Sequence, residues 1–360
     1  MLTWLLVGCV LVFFMVLIGG ITRLTHSGLS MVQWNFIGRF PPLSEARWME
    51  LFDAYRKSPE FLLVNHHFSL GDFKQIFWWE FIHRTLARTI GWIFVLPFLF
   101  FLLARWMPSW LLRRVIFIAA LGLTQGLFGW WMVKSGLSRL PHVSPYLLAL
   151  HLATAFTIFG LLFWSVLDLL REKKSTQPGD ARLPLRTQLV LVVVQVIYGG
   201  LVAGLKAGLV FNTFPRMDNR WIAPEAYRMQ PFWRNLLENG AGVQFVHRVL
   251  ALLIVIHATR LFILVRRANV SKEIKAGVNV LCVLVAAQFS LGVATLVTGV
   301  PVPLAAIHQA GAFLLFANSV FLLHCRSANR YRVEQQSHAA TERNEQQAEP
   351  DPRRIGGETK

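Results

Sequence analysis

Eight stretches of roughly twenty apolar residues, near 3–21, 81–104, 112–133, 146–169, 187–207, 243–264, 276–298 and 303–324, set the terms on which this chain can fold. About 20 such residues make a helix long enough to cross the hydrocarbon of a bilayer. Inside lipid each backbone N–H and C=O must be bonded within the structure, and a helix achieves that segment by segment. Composition agrees, with 54% of the 360 residues hydrophobic and 15% charged. Soluble chains carry roughly 25% charge, so this one lacks the polar surface to cover two ordinary cores. The sequence reads as an all-α polytopic membrane protein with eight transmembrane helices.

A net charge of +17 would suit a nucleic-acid binder, but the positions of the charges exclude that class. They fall in short clusters between apolar runs: Arg105, Arg113 and Arg114; Arg171, Lys173, Lys174, Arg182 and Arg186; Arg260, Arg266, Arg267, Lys272 and Lys275. Such clusters mark cytoplasmic loops. The connections 134–145 and 299–302 are poor in positive charge, and the long ones, 22–80 and 208–242, mix both signs. This pattern places both termini in the cytoplasm. The first apolar run has no basic segment before it and no small-residue cleavage site, so it reads as a retained helix in a bacterial inner membrane. Cys9, Cys282 and Cys325 lie in or at the ends of spans, which indicates neither a disulfide framework nor a thiolate metal cluster. The polar stretch 326–360 reads as a disordered cytoplasmic tail.

The halves of the chain repeat each other. Gly19, Gly20 and Gly28-Leu29 recur as Gly199, Gly200 and Gly208-Leu209, and Phe81-Ile82-His83-Arg84 recurs as Phe245-Val246-His247-Arg248. Gln-x-x-x-Gly occurs at Gln125/Gly129, Gln195/Gly199 and Gln288/Gly292, and His151 is matched by His308. Four helices per half is an even number, so the halves share one orientation, as two tandem four-helix bundles related by an axis along the membrane normal. The divisions are 1–170, a cytoplasmic linker at 171–186, 187–325, and the tail. Gly200, Gly204 and Gly208 form a small-residue stripe that lets helix backbones approach closely.

Four histidines stand out of eleven. His83, His151, His247 and His308 each lie within about five residues of the start of an even-numbered span, at similar shallow depth below the outer interface. Ionisable residues in spans are costly and mark function. Two histidines from facing helices make a bis-imidazole site for a haem iron, and the repeat offers two such sites: His83 with His151, and His247 with His308. The competing reading is a histidine that hydrogen-bonds a neighbouring helix. Zinc is disfavoured because no further ligand stands at ligand spacing. Arg84, Arg88 and Arg248 would pair with propionates at the interface, unless they only snorkel. His26, His66, His67, His142, His257, His324 and His338 receive no ligand role.

One difference between the halves bears on chemistry. Glu80 precedes His83 by three residues on the same helical face, and Gln244 holds the matching place before His247. A carboxylate can exchange protons beside a reacting group and an amide cannot. The first half therefore reads as the reacting site and the second as a permanent redox site. The alternative is that Glu80 pairs with Arg84 at i+4.

The strings GGITRLTHSGLS (19–30), PPL (41–43), SPEF (58–61), DFKQIFWWE (72–80), QGLFGWWMV (125–133) and FNTFPRMD (211–218), with the four histidine contexts, resemble the haem A synthase family over about residues 4–325. The resemblance implies conversion of haem O to haem A: the porphyrin C8 methyl is oxidised to a formyl group by two hydroxylations and loss of water. It implies that His247 and His308 ligate a resident haem b, that His83 and His151 hold the substrate haem, and that Glu80 is the catalytic carboxylate. It further implies a haem O synthase (a farnesyltransferase) upstream, an electron donor, and delivery to terminal oxidases. A homo-oligomer is compatible with the sequence. Some relatives carry a cysteine pair in an outer loop; this chain has none, as in the branch shared by proteobacteria and mitochondria. The runner-up from another class is a non-catalytic di-haem electron carrier, which needs no carboxylate.

Overall fold

The computed structural model describes the backbone of residues 1–33, 38, 40–137, 142–171 and 183–348, with side chains for the same residues except 171 and 327–348. The basic residues Lys173, Lys174 and Arg182 of the linker lie outside the described residues. Among the described residues, eight helices are long and apolar enough to cross a membrane. They are α1 (Leu2–Leu24), α4 (Leu70–Leu103), α5 (Ser109–Gly136), α6 (Pro145–Arg171), α7 (Leu185–Gly204), α9 (Gly240–Arg267), α10 (Lys272–Val297) and α11 (Val302–Ala348). Between them lie three short helices outside the spans: α2 (Glu45–Arg56), α3 (Pro59–Leu63) and α8 (Arg234–Leu237).

The eight expected spans are present, and one begins elsewhere. Helix α4 starts at Leu70, more than two turns before the apolar run, because Ser69 and Asp72 form a reciprocal capping box there. His83 therefore stands well inside its helix, unlike His151, His247 and His308, which follow their helix starts within two turns. The added turns are held by a unit that lies beyond the spans. Ser44 caps α2 and Ser58 caps α3. Trp48, Phe52, Tyr55 and Phe61 then pack on Phe73, Ile76 and Phe77 of α4. At the other end of the chain, α11 continues beyond its apolar part to Ala348, through residues the sequence reading assigns to a disordered tail. That stretch is rich in Ala, Glu, Gln and Arg, which are good helix formers.

Helices α1, α6, α7 and α11 form the centre, with α4 and α5 on one side and α9 and α10 on the other. The glycine pairs explain the seam. On α1, Gly20 leaves room for the Gln309 side chain of α11, which a Cβ would strike at 2.0 Å. On α7, Cβ atoms at Gly200 and Gly204 would meet the α6 backbone at Ala149 (2.8 Å) and Pro145 (2.6 Å). The expected close approach is thus real for Gly200 and Gly204. Gly208 lies beyond α7, against Val300. Within α4, Pro97 cannot donate to the Ile93 carbonyl, and the Trp4 indole of α1 takes that acceptor instead (3.1 Å).

Several other polar groups inside the spans are tied to neighbours. Asp168 accepts from Arg114 (2.6 Å) and contacts His324 (2.7 Å), joining α5, α6 and α11. His257 bonds Gln188 of α7 (2.8 Å). Both histidines thus bridge helices. Cys9, Cys282 and Cys325 form no disulfide among the described residues.

The unit beyond the spans carries its own titration. Buried Glu60 accepts from the Tyr55 hydroxyl (3.1 Å), which accepts from Asn65 (2.9 Å). Burial, with a smaller push from Glu80 and against the Tyr55 bond, raises the Glu60 carboxyl from 4.5 to about 7. Between those values the folded form keeps a proton that the unfolded form releases, so stability falls as pH rises through that window and levels above about 7. Protection of residues 45–65 from amide exchange should accordingly weaken from pH 5 to 7. In Glu60→Gln the dependence should disappear; an unchanged slope would place its origin in another group.

Candidate functional site

A cavity of about 1740 Å³ runs through the bundle, lined by residues of all eight membrane helices. Ligand pockets for one small molecule are typically ~300–1,000 Å³, so this space suits more than one. His83, His151, His247 and His308 all line it. The structure therefore gathers the four histidines on one cavity.

Each of the four rings faces a glycine on the helix before it. A Cβ at Gly19 of α1 would meet the His83 ring at 3.1 Å, and one at Gly129 of α5 the His151 ring at 3.6 Å. A Cβ at Gly199 of α7 would meet the His247 ring at 3.6 Å, and one at Gly292 of α10 the His308 ring at 2.9 Å. Three glutamines, one turn before three of those glycines, fix the histidine backbones. Gln125 donates to the His151 carbonyl (2.9 Å), Gln195 to that of His247 (3.2 Å) and Gln288 to that of His308 (2.8 Å). Met15 takes the fourth such place, on α1. The sequence shows this Gln-x-x-x-Gly spacing; its purpose, a seat for a histidine, is visible only with the helices paired.

The rings fit a large planar metal complex better than a bare ion. Nδ1 of His151, His247 and His308 is buried without a hydrogen-bond partner, which is costly unless something else engages the ring. No cluster of three or more His, Cys, Asp or Glu that could hold a metal ion occurs among the described residues. A metal arriving within a macrocycle and needing two axial imidazoles matches this donor set.

Glu80 lies beside the first pair and lines the cavity. It is 2% exposed, and both its oxygens are engaged. Oε1 accepts from Arg84 (2.5 Å), and Oε2 from the Ser30 hydroxyl (2.6 Å) and the Met31 amide (2.7 Å). The i+4 ion pair is thus formed. Arg84 also donates to the carbonyls of Met31 and Gln33. In the second half Gln244 and Arg248 both donate to the Phe211 carbonyl (3.0 Å each), and Arg248 to Pro215 and Arg216. The arginines expected at propionates therefore hold the loops that follow α1 and α7, while still lining the cavity beside Arg88.

The family described as cytochrome oxidase assembly protein (COX15-CtaA) matches residues 2–320. The chain belongs to this family. A protein named Heme A synthase from Nitrosospira multiformis is 44% identical over 326 residues, covering 89% of this chain and 92% of the relative. One of the same name from Flavobacterium psychrophilum is 42% identical, covering 89% and 96%. Heme A synthase COX15 of Arabidopsis thaliana is 41% identical, covering 89% and 73%.

Within this COX15-CtaA chain the structure adds cations that the sequence reading passed over. Arg23 and Lys206 line the cavity, and both lie close enough to His26 to act on its charge. His26 and Lys206 hold matching places after α1 and α7, and both have a left-handed backbone, with φ of 55° and 53°. The signal was present in the repeat, because counting from the paired glycines aligns the two positions.

Proposed function

We infer that this chain is a haem A synthase, an oxidoreductase that oxidises the C8 methyl of haem O to a formyl group by two hydroxylations and loss of water. The observation that carries the reading is the seating of four histidines, each against a glycine, in one cavity of a COX15-CtaA chain. His83 and His151 would hold the substrate haem. His247 and His308 would hold a haem b, which supplies one-electron redox chemistry when bound.

The chain's own groups have definite tasks. Gly19 and Gly129 leave space beside the substrate pair, and Gln125 sets the height of His151. Glu80 holds a proton-exchanging oxygen, Oε2, with the Ser30 hydroxyl at 2.6 Å as its neighbour. Arg84 fixes the other oxygen. The four-helix units are taken to share one orientation about an axis along the membrane normal. The protein then sits in a bacterial inner membrane with both termini cytoplasmic, and receives haem O from a farnesyltransferase and electrons from a separate donor.

Cells that make haem O but lack their own synthase test the activity. Haem extracted after expression of this chain should contain the formyl product or its alcohol precursor by mass. Neither product above the empty-vector level would overturn the reading. Reporter fusions test the orientation: those within 208–242 should report outside and those within 171–186 inside, and the reverse pattern would overturn it.

A further inference from the structure

The cavity is not equally wide in the two halves. Helices α9 and α10 pack closely against each other, whereas α4 and α5, in the corresponding places, hardly touch. The residues account for this. Counting from the matched histidines and glutamines, Gly91 corresponds to Val255, Gly122 to Val285 and Gly126 to Phe289. All six line the cavity. In the second half the space is filled: Val285 is buried and Phe289 packs edge-on against Phe214, ring centres 5.8 Å apart. In the first half a Cβ at Gly91, Gly122 or Gly126 would meet nothing within 4 Å.

Close approach of two backbones is the usual reason for glycine in a span, and it is the reason for Gly200 and Gly204. It does not apply to these three, which face open space. Glycine also costs helix stability relative to alanine. The slot they border is walled by apolar side chains, among them Phe94, Phe98, Ile118 and Leu123, and it is continuous with the space at His83 and His151. Gln125 Oε1 and His151 Nδ1, both buried and without hydrogen-bond partners, belong to residues that line the same cavity.

We propose that the slot between α4 and α5 receives the isoprenoid chain of the porphyrin substrate, and that Val255, Val285 and Phe289 deny such a chain to the second half. The proposal rests on the haem A synthase reading, which supplies a substrate with a farnesyl tail. Lipid tails are as apolar as the slot, so its walls exert little hydrophobic pull on an isoprenoid. The glycines act by leaving room. Filling that room should therefore discriminate between haems with and without a tail.

The test uses the full chain with its resident haem in place and carries second-half residues into the first: Gly126→Phe, Gly122→Val and Gly91→Val. Haem O and tail-less haem b are titrated separately into the His83/His151 pair. Gly126→Phe should weaken haem O binding and its conversion at least tenfold. Haem b uptake and the resident haem spectrum should match those of the wild type. Gly122→Val should show a smaller loss of the same selectivity, and Phe289→Gly should let the second pair accept haem O. Equal weakening of both haems would overturn the proposal, as would unchanged haem O binding in Gly126→Phe, which would leave the slot to a lipid acyl chain. Absence of conversion by the wild type would count against the haem A synthase reading, while the difference between the two haems would still decide the slot.

Discussion

Alanine at both His247 and His308 is expected to strip the purified protein of its low-spin b-type absorption, while His83→Ala leaves most of that signal. The surroundings of the second pair explain why no substitute ligand should rescue it. Both rings line the cavity, each is seated against a glycine, and each has a buried Nδ1 without a partner. The nearest polar side chain to His247 is Gln195, whose amide nitrogen stands 3.2 Å from Nε2 and is a poor ligand for iron. Removing an outer partner of a metal ligand typically costs ~10–100-fold in affinity, and removing the ligand itself should cost at least as much. Absorption and electron paramagnetic resonance at matched protein concentration would measure it. Retention of the full low-spin signal by the double variant would defeat the assignment of the resident haem to this pair.

The parts of this protein that lipid dictates were legible before any coordinates. Continuous apolar runs leave a helix little alternative, and a histidine inside one is conspicuous because few polar residues are tolerated there. Helix ends were less legible. Hydropathy drops before Phe81, yet α4 runs on to Leu70 because its extra turns are buried by Trp48, Phe52 and Tyr55 rather than by lipid. For the same reason α2 and α3 are hidden in a stretch of mixed charge, since their apolar faces are short and pack on each other and on α4.

Glu80 shows the same division at the site. Its pairing with Arg84 follows from i+4 spacing, but Ser30 and Met31 reach it from the loop after α1, at a separation no local pattern encodes. The three glycines bordering the slot look like Gly200 and Gly204 in the sequence. Only the neighbours of each show that one set joins helices and the other leaves them apart.

Glu80→Gln is expected to lower conversion of haem O by about 10²–10⁴-fold, the range typical of a positioned proton-transfer group. From sequence this exchange looks almost isosteric; the structure shows that it is not benign. Three donors converge on the carboxylate. An amide offers one oxygen and turns an NH₂ group toward a guanidinium, a hydroxyl or a backbone N–H. Leaving buried groups unpaired in this way costs about 1–3 kcal/mol, so some loss of stability should accompany the loss of activity. The two effects are separated by Ser30→Ala, which removes one clasp on Oε2 and keeps the carboxylate. If Glu80 only staples the loop over α4, both variants should lose activity in proportion to their loss of folded, haem-loaded protein. If it exchanges protons with the reacting substrate, Ser30→Ala should stay within about tenfold of the wild type, and Glu80→Gln should fall further even when both histidine pairs are loaded. Near-wild-type haem A yield from Glu80→Gln at equal haem content would remove the catalytic role and leave the ion pair with Arg84 as the reason this carboxylate stands where the second half has Gln244.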